Sequence, residues 1–286
     1  MNRAGVIGYP LGHSLSPAIF QAAIDAAGID AQYEKWETEP DQLEGRLNAL
    51  RHEDFLGANV TIPHKEAVLP MLDRLDETAE RAGAVNTIAN ENGELVGYNT
   101  DVAGFARALR DDAGFDPKGK RVGILGAGGA ARAAALVAVE AGASYIMLTG
   151  RSPRRMDKVV ADFRKLEGAG TTITWTHWGD GVFMTFFPNA DLLVNCTPVG
   201  TKTSDVDGRS PIDAQWLPKH GIVFDVVYNP PETPLLKTAK ERGLTAVSGL
   251  GMLVYQAAES FRLWTGKDAD VQKMLSAGRE ALEVKV

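Results

Sequence analysis

Short apolar runs alternate with amphipathic stretches along most of this chain. Alternating or β-branched runs predict strands over 4–7, 32–36, 57–61, 85–89 and 95–98, and apolar positions at helical spacing predict helices over 17–27, 41–50 and 102–112. Strands interleaved with helices build a mostly parallel sheet covered on its faces, so the fold class is α/β. Gly114, Pro117, Gly119 and the charges among them interrupt the pattern over 113–120 and mark a boundary to a second unit.

The second unit opens on a buried-looking strand over 121–125, then Gly126-Ala127-Gly128-Gly129-Ala130-Ala131, then a helix through Ala134, Leu136 and Val137 towards Ala141. Strands over 144–149, 171–176, 190–195, 221–226 and 245–247, with helices running to 165 and over 233–242, complete a doubly wound sheet. The stretch 175–188 fits neither period. From 249 onward Leu253, Ala257, Phe261 and Trp264 repeat at helical spacing up to Gly266, and a second helix is predicted over 268–282. Two successive helices do not continue βα winding, so they are expected to cross back onto the first unit. The predicted organisation is two α/β domains, 1–112 joined with 248–286 and 113–247.

Composition narrows the partners. At 286 residues the chain exceeds a typical domain of about 100–150 residues, which agrees with two. Lys and Arg number 30 against 37 Asp and Glu, a net charge of −7 with no long basic run, which argues against nucleic acid. The longest apolar stretch, 122–139, carries Arg132 and glycine interruptions, so no membrane span is expected there. Cys196 has no second cysteine to pair with, and the first ten residues hold too short an apolar run for a secretory leader; both fit a cytoplasmic protein.

The candidate chemistry begins at Lys65, which closes the run Asn59-Val60-Thr61-Ile62-Pro63-His64-Lys65. A helix starting near His64 would put this cation in its first turn, opposed by the backbone dipole by about 0.3–1 kcal/mol, so a carboxylate is expected beside it. Glu66 could serve locally, leaving a solvated surface lysine, or Asp101 could serve from the run Gly97-Tyr98-Asn99-Thr100-Asp101. Asp101 could instead cap a helix beginning at Val102. The glycine turn at 126–131 between strand and helix is the context in which bare backbone approaches a pyrophosphate. After the next strand, Gly150-Arg151-Ser152-Pro153-Arg154-Arg155 offers three arginines and no acidic residue. That favours a 2′-phosphate and hence NADP(H) over NAD(H), the alternative being a solvated basic turn. The five histidines show no zinc spacing, so no metal is expected and His64 reads as structural.

Taken in order, several motifs resemble those of the shikimate dehydrogenase family over nearly the whole chain. They are the run from Gly8 to Pro17 (Gly-Tyr-Pro-Leu-Gly-His-Ser-Leu-Ser-Pro), 59–65, Gly83-Ala84-Val85-Asn86-Thr87, 97–101, 126–129, Asn195-Cys196-Thr197-Pro198, Asp225-Val226-Val227-Tyr228 and 249–256. The resemblance implies a discontinuous N-terminal substrate domain completed by the C-terminal helices, a Rossmann-type NADP domain, and a cleft between them. It implies reversible NADPH-dependent reduction of 3-dehydroshikimate to shikimate in aromatic amino-acid biosynthesis, a small-molecule substrate, and leaves a homodimer open. Quinate oxidation, relaxed NAD use and a non-catalytic dinucleotide-binding module are the alternatives.

The resemblance also implies residue roles. Lys65 and Asp101 would be catalytic, Lys65 either giving a proton to the carbonyl oxygen or stabilising its charge. Ser14 and Ser16 would bind the substrate carboxylate; Ser16 before Pro17 also reads as a helix N-cap. Thr61, Asn86, Asp101 and Gln256 would hold ring hydroxyls, and Tyr228 would line the cleft. Gly126, Gly128, Gly129, Ala130, Arg151, Ser152, Arg155, Thr197, Gly249 and Met252 would hold the cofactor. Departures from the family pattern are Phe20-Gln21, Gly150, Cys196, Thr201 and Ser248, none of which removes a residue named above.

Overall fold

The computed structural model describes residues 1–12, 14–166, 170–202 and 207–283; His13 of the first motif lies outside them. The chain forms two compact units, residues 1–104 with 253–286, and residues 105–252.

The first unit holds β1 (Asn2–Gly8), α1 (Ser16–Ala26), β2 (Ala31–Glu37), α2 (Leu43–Ala49), β3 (Phe55–Val60), β4 (Arg74–Leu75), α3 (Glu77–Ala82), β5 (Thr87–Glu91) and β6 (Glu94–Tyr98). From there α4 (Thr100–Asp111) leads into the second unit. The sheet runs β2-β1-β3-β5-β6-β4. Its core on one face gathers Ile7, Val60, Val85 and Ile88 against Leu43, Leu47 and Leu50, an apolar cluster whose burial is the main stabilising term of such a layer. Strand and helix positions follow the pattern predicted for them within a few residues, except that helix 41–50 opens as a 3₁₀ turn, Pro40–Gln42.

This sheet is mixed rather than mostly parallel. β1 pairs with β2 and β3 in parallel, but β3–β5 and β5–β6 are antiparallel. The cause is local. Asn92 and Gly93 link β5 to β6 with φ of 58° and 94°, the left-handed pair that a two-residue hairpin of right-handed twist requires. Helix α3 is a further element that apolar periodicity does not predict, although its end signals are in the chain: the Asp76 carboxylate accepts from Ala79 N, and Gly83 terminates the helix at φ 63°.

The second unit holds β7 (Arg121–Leu125), α5 (Gly129–Glu140), β8 (Tyr145–Thr149), α6 (Pro153–Arg164), β9 (Thr172–Thr176), α7 (Gly181–Phe186), β10 (Leu192–Asn195), β11 (Ile222–Asp225), α8 (Pro234–Glu241) and β12 (Thr245–Ser248). Its sheet is parallel throughout, in the order β12-β11-β10-β7-β8-β9. The stretch that fits neither period contains α7, capped by Asp180, whose phenylalanines Phe183 and Phe186 pack with Phe187 into the core. Helix α9 (Leu250–Thr265) returns the chain to the first unit, where α10 (Val271–Glu283) follows. The unit division thus falls inside α4 and α9, and the Gly- and Pro-rich stretch 113–120 belongs wholly to the second unit.

Candidate active site

Within the first unit, one edge of the sheet collects the polar residues. β1 ends at Gly8 and β3 at Val60, in parallel register with Ile7 opposite Val60. β6 ends at Tyr98, while β5, running the other way, begins at Thr87, opposite both Asn59 and Tyr98. The serines follow β1, Thr61 and Lys65 follow β3, Asn86 precedes β5, and Thr100 and Asp101 open α4. Reversal of β5 is what puts Asn86 on this edge.

Lys65 is not in a helix. Residues 62–68 form turns ahead of a 3₁₀ turn at Leu69–Met71, so the dipole penalty does not arise. Its Nζ donates to Asp101 Oδ2 at 2.5 Å, with the side chains 18% and 8% exposed. In a pair this sheltered, each charge compensates the other for the hydration it has lost. Asp101 lies in the first turn of α4, which begins at Thr100 and not at Val102, so the carboxylate faces a lysine besides sitting where the helix dipole favours it. Neighbouring His64 is buried and donates from Nε2 to the Thr38 carbonyl at 2.7 Å, a structural bond.

Asn86 is the centre of the arrangement. Its Nδ2 donates to Asp101 Oδ1 at 3.0 Å, Thr100 Oγ1 at 2.9 Å and Gln256 Oε1 at 3.1 Å, and its Oδ1 accepts from Thr100 N at 2.6 Å. Gln256 Nε2 donates to the Leu253 carbonyl at 2.7 Å, which orients its amide. Gln256 is therefore buried in a polar cluster instead of lying on a wet helix edge. Asn59, Thr87, Thr100 and Ser260 join the same cluster, and the sequence motifs assign them no role. Ser260 is legible only as the residue one turn beyond Gln256 on the same helix face.

Ser14 and Ser16 are half-buried at the start of α1. The cap position falls on Leu15, with Ser16 as the first helical residue, and the Ser14 hydroxyl accepts from Ser16 N at 3.3 Å. α1 therefore has no side-chain cap, the Ser14 hydroxyl making only a local turn bond two residues on, and Ser16 is not the N-cap that the sequence suggests. Thr61 is half-buried at the end of β3. Phe20, one of the departures, stacks on Tyr33 with ring centroids 4.2 Å apart and planes at 3°, and burial pushes the Tyr33 phenol pKa well above its ordinary value.

The second unit carries the remaining predicted residues, Tyr228 among them, half-buried beyond β11. The strand order reverses at β7, and Gly126 lies there with φ 119°. A side chain at Gly126 would meet the Cys196 carbonyl at 3.1 Å, so only glycine lets the β7 and β10 ends approach at this switch point. Gly128 caps α5 without a side-chain bond, and Gly129 and Ala130 form its first turn, leaving orphan amides for an anion. Arg151, Arg154 and Arg155 are exposed and take no carboxylate partner among the described residues, while the Ser152 hydroxyl caps α6 by accepting from Arg155 N at 3.4 Å. This donor set fits a dinucleotide with a 2′-phosphate. Thr197 Oγ1 donates to Asn195 Oδ1 at 2.7 Å, fixing the turn after β10. Gly249 lies where the Val226 carbonyl, 2.1 Å from a built Cβ, excludes any side chain, and Met252 is buried on α9.

The shikimate dehydrogenase substrate binding domain matches residues 6–88, and the shikimate 5′-dehydrogenase C-terminal domain matches residues 249–277. The shikimate dehydrogenase (NADP(+)) of Methanopyrus kandleri is 42% identical over 98% of this chain and 96% of its own length. The chain belongs to the shikimate dehydrogenase family. The enzyme of the same name from Moorella thermoacetica is 44% identical, over 97% of this chain and 92% of its own. The crystal structure of shikimate 5-dehydrogenase from Thermus thermophilus in complex with NADP(H) and shikimate superposes with a TM-score of 0.86 at 39% identity, covering 99% of this chain and all of that one.

Proposed function

We infer that this protein is an NADP-dependent shikimate dehydrogenase, catalysing the reversible reduction of 3-dehydroshikimate to shikimate and so acting in aromatic amino-acid biosynthesis. The observation that carries the reading is the Lys65–Asp101 pair held by Asn86 and Gln256, within a chain 42% identical to a shikimate dehydrogenase over 98% of its length.

Bound NADPH supplies the hydride; the protein supplies binding and the proton. Reduction of a ketone puts negative charge on its oxygen, and a preorganised cation there lowers the barrier. Lys65 is that cation and carries the transferable proton on Nζ. Asp101 holds the ammonium through Oδ2 and accepts from Asn86 through Oδ1, which fixes the carboxylate plane. Thr61, Asn86, Asp101 and Gln256 take ring hydroxyls, since each offers hydroxyl, amide or carboxylate atoms beside the pair or at the same sheet edge. Ser14 and Ser16, with the α1 N-terminus behind them, bind the substrate carboxylate. Tyr228 supplies a further substrate contact. In the second unit, the 126–130 turn takes the pyrophosphate, Arg151, Ser152 and Arg155 the 2′-phosphate, and Thr197, Gly249 and Met252 the nicotinamide end. We place the functional domains at 1–112 with 248–286 for substrate and 113–247 for NADP, whereas the compact units divide after 104 and after 252; the enzyme is cytoplasmic and can assemble as a homodimer.

Absorbance of the reduced nicotinamide, with shikimate or quinate crossed with NADP or NAD, tests the reading. Shikimate with NADP is expected to give the highest kcat/KM; a preference for quinate or NAD overturns the substrate or cofactor assignment, and no turnover with any pair overturns the enzymatic one.

A further inference from the structure

Behind Asn86 lies a triangle of buried hydroxyls. Thr87 Oγ1 is 3.0 Å from Thr100 Oγ1 and 2.8 Å from Ser260 Oγ, and Thr100 Oγ1 is 3.1 Å from Ser260 Oγ. Thr87 and Ser260 are both 0% exposed. Ser260 donates to the Gln256 carbonyl at 3.0 Å, and Asn59 Nδ2 approaches Ser260 Oγ at 3.0 Å and Thr87 Oγ1 at 3.1 Å. Asn59 is held in turn by the Tyr33 hydroxyl, which donates to its Oδ1 at 2.7 Å.

The triangle bears on the amide in front of it. Asn86 Nδ2 has two hydrogens and three acceptors within 3.1 Å, namely Thr100, Asp101 and Gln256. Which two it serves depends on how the Thr100 hydroxyl is engaged; its one hydrogen has Thr87 and Ser260 within 3.1 Å, closer than Asn86 Oδ1 at 3.2 Å and Gln256 Oε1 at 3.4 Å. The one hydrogen of the Thr87 hydroxyl has Asn86 Oδ1 at 3.2 Å as an alternative acceptor to Thr100 and Ser260, and in that arrangement it helps to hold the amide with its oxygen away from Asp101. In a dry interior such bonds are strong when complete and costly when one member is lost.

We propose that Thr87 and Ser260 are positioning residues that hold the Asn86 amide against Asp101 and Gln256, so that the ring-binding groups and the Lys65 pair are set before substrate arrives. This rests on the reading that Asn86, Asp101 and Gln256 take ring hydroxyls. Both residues are fully buried and act through Asn86.

Isosteric substitutions separate this role from packing. Thr87→Val keeps the volume and removes the hydroxyl, whereas Thr87→Ser keeps the hydroxyl and removes a methyl. Steady-state kinetics on the full chain should show Thr87→Val and Ser260→Ala raising the shikimate KM about tenfold or more and lowering kcat, the scale of a misplaced binding group. The NADP KM should stay unchanged, and Thr87→Ser should restore shikimate KM although its melting temperature falls. Equal effects of Val and Ser at position 87, or a lower melting temperature with an unchanged shikimate KM in both hydroxyl-deleted variants, overturn the proposal. Asn86→Ala is the reference: if it raises KM while Thr87→Val and Ser260→Ala do not, only the positioning role fails. If Asn86→Ala itself leaves KM unchanged, the ring-site reading fails and takes this inference with it.

Discussion

Lys65 and Asp101 stand 36 residues apart in the chain and share a 2.5 Å ion pair, Lys65 Nζ donating to Asp101 Oδ2. The contact exists because β3 and β6 both end at the edge where antiparallel β5 starts. Lysine and aspartate are thereby preset, and the binding energy of the substrate is not needed to bring them together.

Removing either partner should therefore damage turnover more than binding. Lys65→Ala is expected to lower kcat by about 10²–10⁴-fold, the range for a positioned acid or base, with a much smaller change in shikimate affinity. Asp101→Asn should also reduce kcat, and the double variant should cost less than the product of the singles because the pair acts as a unit. Turnover of Lys65→Ala within a few-fold of wild type returns Lys65 to a solvated surface role.

Cofactor choice rests on the exposed arginines after β8. Arg151→Ala should weaken NADP(H) by about 10- to 100-fold, the scale of a lost hydrogen bond to a charged group, and leave NAD(H) nearly unchanged, since NAD carries no 2′-phosphate. Fluorescence titration with both cofactors checks this; equal losses would assign Arg151 to the fold or the pyrophosphate.

Gln256 tests the contribution of α9 to the ring site. Its Oε1 accepts from Asn86 Nδ2 at 3.1 Å across 170 residues of sequence. Gln256→Ala should raise the shikimate KM while leaving NADP(H) affinity unchanged. A KM equal to wild type would make the amide a structural bridge only.

Asp225 makes a prediction about pH. Burial pushes its carboxyl up to about 6 from an ordinary 3.8, even though Thr233 Oγ1, Asn195 Nδ2 and Val227 N all donate to it. A raised folded-state pKa means that the folded protein holds the proton that the unfolded chain has released. The contribution of Asp225 is then fully present below about pH 3.8 and is lost as pH rises through about 6. Between pH 4 and 7 this amounts to about 2–3 kcal/mol. Urea unfolding of wild type and Asp225→Asn across that range should show the difference between them shifting towards the variant as pH rises; a difference independent of pH would mean that Asp225 is ionised throughout.

Periodicity, backbone freedom and local charge are properties of the chain itself, and they suffice for the alternation of elements, the parallel second sheet and the glycine turn with its arginines; they leave Glu66 and Asp101 as equal candidates for the partner of Lys65, which only the family resemblance separates. Even the hairpin that makes the first sheet mixed is written locally, in Asn92-Gly93. Which polar residues meet is settled at a higher level, by the packing of distant segments. Asn86 reads locally as a turn residue and Ser260 as one more position on a helix, and neither periodicity nor propensity encodes a partner 170 or 173 residues away. Those meetings follow from strand direction: with β5 reversed, its first residues face the ends of β3 and β6, and the buried amide and hydroxyls there satisfy one another, as buried polar groups do.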